Sequence, residues 1–191
     1  YLKEKGFSRG KAGSMHLFDK KNGFYGSSPI VANMIPLGVG MALYNKVNKR
    51  NNIVLIFFGD GATEEGVFYE SLNFAAVHNL KVIFICENNF YSVYSNLSYR
   101  QPKGRKIHKV ANSLKVFSIK AEGNDVRSAS NALSYSIDFV KKNKKPILIE
   151  FSTYRFIEHC GPNNDDNLNY RNQKEINKWF KKDPLDKLYK N

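Results

Sequence analysis

Two polar side chains stand where two predicted strands end, and their spacing suggests a cation site. Asp60 lies between Gly59 and Gly61, which follow the apolar run of residues 53–58, and Asn89 is the second residue after a later run at 81–87. One strand–helix–strand unit separates the two, which would bring both to neighbouring carboxyl ends of one parallel sheet. Mg²⁺ prefers hard oxygen ligands, completed by phosphates and water. The pair therefore predicts a metal–diphosphate site.

Each half of this pattern also has a simpler interpretation. An aspartate after a strand can cap a helix, and consecutive asparagines often form a turn. Glycines between a strand and a helix also suggest a dinucleotide-binding loop, with Glu87 as the ribose-binding acid. That match is partial, because Glu64 stands where the third glycine belongs. An aspartate facing a pyrophosphate repels it unless a cation lies between them, which favours the metal interpretation.

The surrounding elements predict the frame that positions these residues. Apolar runs predict strands at residues 53–58, 81–87, 115–121 and 146–154, the first covered on both faces. Helices are predicted at residues 30–47, 64–79, 124–143, 174–180 and 184–189, with a polar loop at 88–106. Asn124 or Asp125 is the predicted N-cap of the third helix. Alternating strands and helices predict one α/β domain over residues 1–191, a doubly wound, mostly parallel sheet.

Composition limits the class of protein. The 191 residues are 42% hydrophobic, which is enough for one domain with a core. The net charge of +13 comes from scattered lysine and arginine doublets, so we expect no nucleic-acid partner. No apolar run approaches the roughly 20 residues of a membrane span, and the two cysteines form no disulfide framework. We expect a soluble, cytoplasmic protein with no membrane partner and with Cys86 buried. Because the chain begins at Tyr1, we expect an N-terminally truncated piece.

Several segments resemble the alpha subunit of thiamine-diphosphate-dependent 2-oxo acid dehydrogenases of the pyruvate, branched-chain and acetoin types. GDG at 59–61, followed one unit later by NN at 88–89, is similar to the thiamine-diphosphate motif. The flanking similarity is carried by GKAGSMHLFDKKNGFYG, IVANMIPLGVGMAL and PILIEFSTYRFIEHCGP. The resemblance covers about residues 10–171 and implies the thiamine-diphosphate-binding fold.

The resemblance also implies roles for individual residues. It implies that Mg²⁺ is held by Asp60, Asn89 and the carbonyl oxygen of Tyr91. Thiamine diphosphate would contact the backbone at Gly59, Gly61 and Ala62 and, through its aminopyrimidine ring, at Pro29, Ile30 and Val31. His159 corresponds to an active-site histidine beside the cofactor, a proton donor near the substrate. His16 is a second catalytic candidate, with a structural loop histidine as the open alternative.

For function, the resemblance implies oxidative decarboxylation of a small 2-oxo acid, or cleavage of an acetoin-like substrate. The acyl group would pass to a lipoyl-bearing acyltransferase. A beta subunit would supply the glutamate that activates the cofactor, so we expect an α2β2 assembly and an isolated chain that is inactive.

Departures from the family leave alternatives open. Ile157 replaces a pocket histidine, which leaves the substrate undecided. Cys160 replaces a serine that is phosphorylated in animal enzymes, so we expect that control to be absent. The tyrosine–arginine pair that grips the diphosphate in the family would lie upstream of residue 1. A non-catalytic remnant therefore remains an alternative. The strand–GxG–helix pattern with Glu87 separately leaves a nicotinamide-dependent enzyme open.

Overall fold

The computed structural model describes residues 3–189 and contains a parallel sheet with helices on both faces. The sheet order is β1 (Val54–Gly59), β2 (Val82–Asn88), β6 (Ile147–Ser152) and β5 (Phe117–Glu122). A hairpin is formed by β3 (Tyr91–Ser92) and β4 (Ser95–Asn96). The α-helices are α1 (Met34–Val47), α2 (Gly66–Val77), α3 (Leu97–Arg100), α4 (Ile107–Ser113), α5 (Val126–Asn143), α6 (Gln173–Phe180) and α7 (Pro184–Tyr189). Short 3₁₀ turns lie at Lys20–Asn22, Asp60–Glu64 and Asp166–Leu168. The predicted doubly wound α/β class is confirmed, and the domain range of 1–191 stays a prediction.

The two faces of the sheet carry separate apolar layers. On one face, strand residues such as Phe84 and Leu148 pack with α1, α2 and α4. On the other face, Ile83 and Ile149 pack with α5. Cys86 belongs to the first layer and is fully buried, as the sequence predicted. Because side chains alternate along a strand, the continuous apolar runs supply both layers at once.

The first strand departs from the prediction that both of its faces are covered. Leu55 is 40% exposed and Phe57 is 58% exposed, whereas their neighbours along β1 face the core. β1 is the edge strand of the sheet, and α5 packs over β2, β5 and β6 instead. The prediction was wrong because an apolar run shows that a segment can form a buried strand, but it does not show whether that strand lies in the middle or at the edge of the sheet.

The first helix begins at Met34, later than predicted, and a left-handed residue at Ala32 (φ 63°) precedes it. Pro36 falls in the first turn, where its missing N–H costs no internal hydrogen bond. A Cβ at Gly38 would lie 2.6 Å from the Ile56 side chain, so this glycine lets α1 pack closely on β1.

The segment between the predicted polar loop and the third strand contains a helix, α4, that the sequence analysis did not assign. Residues 88–106 also hold the β3–β4 hairpin and α3 rather than irregular loop alone. Of the two N-cap candidates for α5, Asp125 is the cap, since its carboxylate accepts from the Ser128 N–H at 2.9 Å. Within residues 3–189, no helix is both long enough and apolar enough to cross a bilayer.

Candidate functional site

Four chain segments meet at the carboxyl ends of β1 and β2 and enclose a cavity of about 340 Å³. They are the turn before α1, the end of β1 with its following 3₁₀ turn, the β2–β3 loop and the loop after β6. The predicted cofactor and metal residues in its lining are Pro29, Ile30, Val31, Gly59, Asp60, Gly61, Ala62, Asn89, Tyr91 and His159. Residues far apart in sequence therefore converge on one place, with a volume typical of small-molecule sites.

Asp60 is the buried acid of this cavity. It is 1% exposed, and its Oδ1 accepts from the backbone N–H of Asn89 at 3.3 Å. The hydroxyl of Thr63 donates to the Asp60 carbonyl at 2.7 Å and tightens the 3₁₀ turn after β1. Asp60 and Asn89, which the sequence paired by their spacing, are thus in direct contact through this hydrogen bond.

The β2–β3 loop presents the other two predicted oxygen ligands. The Asn89 side-chain oxygen accepts from the Tyr91 N–H at 3.0 Å, and Phe90 between them is left-handed (φ 69°). The Tyr91 hydroxyl donates to Glu175 of α6 at 3.1 Å. Burial is the main factor that raises the pKa of the Tyr91 phenol, which therefore remains a hydrogen-bond donor at neutral pH. Through this hydrogen bond, α6 helps to hold in place the backbone that carries the Tyr91 carbonyl.

Arg100 contributes a cation that sequence reasoning missed. Its guanidinium pairs with the Asp60 carboxylate and with Glu64, and its Nε donates to the Ser95 carbonyl at 3.1 Å. The Arg100 side chain is 12% exposed, so the pairs are only partly screened by water. Arg100 is the last residue of α3 and lies inside the stretch predicted as a loop. An arginine in a polar loop does not by itself indicate which acid it will contact.

Gly61 is needed because the β3–β4 hairpin approaches it closely. A Cβ at this position would lie 2.8 Å from Ser92 Oγ and 3.1 Å from Ser92 Cβ. Ser92 also lines the cavity, beside Asp60 and Asn89, and was not among the predicted site residues. The glycine after the aspartate thus permits the Ser92 side chain of the hairpin to close one side of the site.

The two candidate histidines lie in different cavities. His159 is exposed in the loop after β6 and lines the cavity of Asp60. That loop is held by Arg155, whose Nη2 donates to the Val93 carbonyl at 2.7 Å. His16 instead lines a separate cavity of about 360 Å³ with Phe7 and other aromatic residues. The structure does not bring His16 together with the other candidates, and its catalytic role stays a prediction.

The oxygen donors at this cavity fit a hard cation. A carboxylate from Asp60, an amide oxygen from Asn89 and a carbonyl from Tyr91 are ligands that Mg²⁺ accepts. Across residues 3–189, no three histidine, cysteine or acidic side chains lie together as a metal site. A cation here would therefore need further oxygens from a ligand or from water. Glu87, the acid of the dinucleotide alternative, does not line this cavity.

The parallel sheet, with a cavity at its carboxyl edge that Asp60 and Asn89 help to line, defines an α/β protein of the class whose ligand sites lie at that edge. Residues 2–191 match the family described as Dehydrogenase E1 component, and the chain belongs to that family. It is 37% identical over 180 residues to the pyruvate dehydrogenase E1 component subunit alpha of Rickettsia felis, covering 94% of this chain and 54% of the relative. It is 36% identical over 188 residues to the mitochondrial counterpart of Dictyostelium discoideum, covering 98% and 48%. The chain thus spans about half the length of the curated relatives it matches.

Solved structures show the same fold at lower identity. A transketolase from Campylobacter jejuni matches with a TM-score of 0.58 and 21% identity, covering 66% of this chain and 20% of that one. An enzyme from Mycobacterium smegmatis described as thiamin diphosphate-dependent matches with a TM-score of 0.54 and 20% identity, covering 69% and 24%. The predicted family resemblance is confirmed by the family match, and these structures support the fold alone.

Proposed function

We propose that this chain forms the thiamine-diphosphate-binding part of an E1 alpha subunit and takes part in oxidative decarboxylation of a 2-oxo acid. The observation that carries the proposal is the convergence of the predicted contact residues on one cavity beside the buried Asp60. Membership of the Dehydrogenase E1 component family supports the same reaction class. The two curated relatives described above are both pyruvate dehydrogenase alpha subunits, which makes pyruvate the first substrate to test.

Asp60, Asn89 and the Tyr91 carbonyl would hold Mg²⁺, and the metal would neutralise the diphosphate that Asp60 alone repels. The backbone of Gly61 and Ala62 would contact the diphosphate, and the segment at 29–31 would contact the aminopyrimidine ring. When bound, thiamine diphosphate supplies the electron sink that decarboxylation requires. The protein residues supply orientation, charge and a shielded cavity.

His159 would act as the proton donor of the site. Its side chain lies on an exposed loop at the rim of the cavity, where an incoming substrate or acyl acceptor would pass. A histidine can donate or accept a proton near neutral pH, which suits a group that serves successive steps. Cys160, which follows it, is a free and exposed cysteine, and we assign it no role because sequence neighbours generally point apart and no third orienting residue is evident from the sequence.

The partners follow from the same assignment. We infer that a beta subunit completes the site with the activating glutamate in an α2β2 assembly, and that a lipoyl-bearing acyltransferase accepts the acyl group. The exposed outer face of β1, with Leu55 and Phe57, is the kind of apolar surface that further protein would cover in an assembly.

Calorimetry on the full-length protein in its native assembly tests this proposal. We expect thiamine diphosphate to bind only with Mg²⁺ present, NAD not to bind, and Asp60→Ala to abolish the Mg²⁺-dependent binding. Binding of NAD in place of thiamine diphosphate would support the nicotinamide alternative. Mg²⁺-dependent binding without turnover of any 2-oxo acid, even with a beta subunit present, would support a non-catalytic remnant.

A further inference from the structure

A buried carboxylate lies one strand away from the predicted cation loop. Glu150 of β6 is 3% exposed and stands next to Cys86 of β2 in the sheet. Its Oε1 accepts from the Asn88 side-chain nitrogen at 2.9 Å, and its Oε2 accepts from the backbone N–H of His108 at 3.0 Å. The His108 Nδ1 lies 2.5 Å from the same Oε2. Because a carboxylate only accepts, Nδ1 must carry the proton in this contact.

These hydrogen bonds fix the orientation of a side-chain amide. Asn88 is 4% exposed, and its Oδ1 accepts from the Phe90 N–H at 3.2 Å while its nitrogen faces Glu150. The oxygen and nitrogen cannot exchange places, since a carboxylate needs a donor and an N–H needs an acceptor. The charge of Glu150 therefore decides which end of the Asn88 amide points at the loop.

The loop that receives this support adopts a conformation that is unfavourable for its sequence. Phe90 is left-handed at φ 69°, a region that non-glycine residues rarely occupy. The hydrogen bond from its N–H to Asn88 helps to hold it there. Asn89 and Tyr91, on either side of Phe90, are the two proposed ligands of this loop. A change at Phe90 would move both.

We propose that Glu150 and His108 are positioning residues for the cation-binding loop, acting through Asn88 rather than by contact with the cofactor. The inference rests on the proposed function, because it assigns that loop a cation to hold. His108 belongs to α4, and the Ser118 hydroxyl of β5 donates to its carbonyl at 2.6 Å. The network therefore connects α4 and β5, elements outside the cavity, to the ligands Asn89 and Tyr91.

The test is Glu150→Gln in the full-length protein in its native assembly. Glutamine keeps the shape but cannot accept on both of its terminal atoms, so either the Asn88 or the His108 hydrogen bond is lost. Groups that orient metal ligands typically change metal affinity about 10- to 100-fold. We expect the Mg²⁺ concentration for half-maximal thiamine diphosphate binding to rise by at least about tenfold, in line with that range.

Variants at His108 separate positioning from stability. His108→Leu removes the side-chain donor and should shift the Mg²⁺ requirement in the same direction, whereas His108→Asn places a donor near Nδ1 and should restore it. Val140→Ala is the control for lost stability, because Val140 is a fully buried residue of α5 that packs in the apolar layer on the other face of the sheet. It should lower the melting temperature without changing the Mg²⁺ requirement.

Hydrogen–deuterium exchange of residues 88–91 provides a readout that does not need the cofactor. Glu150→Gln should speed exchange at the Phe90 amide, because the orientation of its Asn88 acceptor is no longer enforced. If the unmodified protein fails to bind thiamine diphosphate, the proposed function is wrong, and this exchange still decides the positioning role. Wild-type exchange at residue 90, or a wild-type Mg²⁺ requirement in Glu150→Gln, would overturn the inference.

Discussion

Arg100→Met is the perturbation that most directly probes the charge balance at the cavity. In the structure, the Arg100 guanidinium is the partner of Asp60 Oδ2, while among residues 3–189 the hydrogen-bond partner of Oδ1 is the Asn89 N–H at 3.3 Å. Methionine keeps much of the side-chain length and removes the charge. The variant therefore leaves a 1%-exposed carboxylate with one of its two oxygens unpaired.

The expected cost in the absence of metal is large. Removing one partner of a buried ion pair costs about 3–5 kcal/mol, and we take about 3 because the arginine is partly exposed. For a chain of this size, each kcal/mol shifts the melting temperature by about 2–4 °C, so we expect a fall of about 6–12 °C. Differential scanning calorimetry or fluorimetry on the metal-free protein measures it.

Mg²⁺ should reverse this effect, because a divalent cation at Asp60 replaces the missing positive charge. In Arg100→Met, adding Mg²⁺ with thiamine diphosphate should raise the melting temperature by more than it does in the unmodified protein. Arg50→Met is the matched control, since Arg50 is an exposed cation beside Tyr44 and its loss changes the net charge equally. An equal fall with and without Mg²⁺, or no fall at all, would refute the idea that arginine and metal share one carboxylate.

Two further predictions use other parts of the site. Gly61→Ala should displace the β3–β4 hairpin, because its Cβ would lie 2.8 Å from Ser92 Oγ, and should weaken thiamine diphosphate binding. Gly40→Ala is the calorimetric control, because Gly40 lies in α1 outside the cavity and has open space around its Cβ. Glu150→Gln should be less stable than wild type near neutral pH, with a gap that narrows in acid. Burial raises the pKa of Glu150, but hydrogen bonds from His108 and Asn88 outweigh it and hold the pKa below the ordinary 4.5. The stabilisation is therefore present above pH 4.5 and lost as the pH falls through the folded pKa, which urea unfolding as a function of pH measures; a constant gap would contradict it.

Much of the fold could be predicted because strands and helices differ in the period of their apolar residues. The four long strands and the helices α5, α6 and α7 agree with the sequence within a few residues. α4 was missed because seven residues hold too few turns to show a helical period. The exposure of Leu55 and Phe57 was missed because the order of strands in a sheet is a tertiary property.

The candidate site could be predicted where chemistry and strand ends coincide. Asp60 and Asn89 were paired from their residue types and from the rule that parallel strands end at one edge. Pro29 and His159 came only from the family resemblance, and the structure brings both to the same cavity. His16 was also a candidate from the resemblance, but it lines a different cavity. Its position could not be predicted, because a loop without regular structure gives no rule for where its side chains lie.

Arg100 and Glu150 were missed for a different reason. Arg100 contacts Asp60 only because α3 and the β3–β4 hairpin turn back toward the 3₁₀ turn. Glu150 lies in an apolar strand, and its partners Asn88 and His108 come from β2 and α4. Contacts of this kind join side chains from separate helices and strands. They cannot be predicted from the spacing of residues within one segment.

The central claim is that Asp60, Asn89 and Tyr91 hold the cation that binds the diphosphate. The most direct test is a crystal structure of the full-length protein with thiamine diphosphate and Mn²⁺, whose anomalous signal locates the metal. We predict one peak within about 2.0–2.3 Å of an Asp60 carboxylate oxygen, the Asn89 amide oxygen and the Tyr91 carbonyl, with phosphate oxygens completing the shell. Cofactor bound in this cavity with no metal at Asp60, or a metal held elsewhere, would contradict the claim.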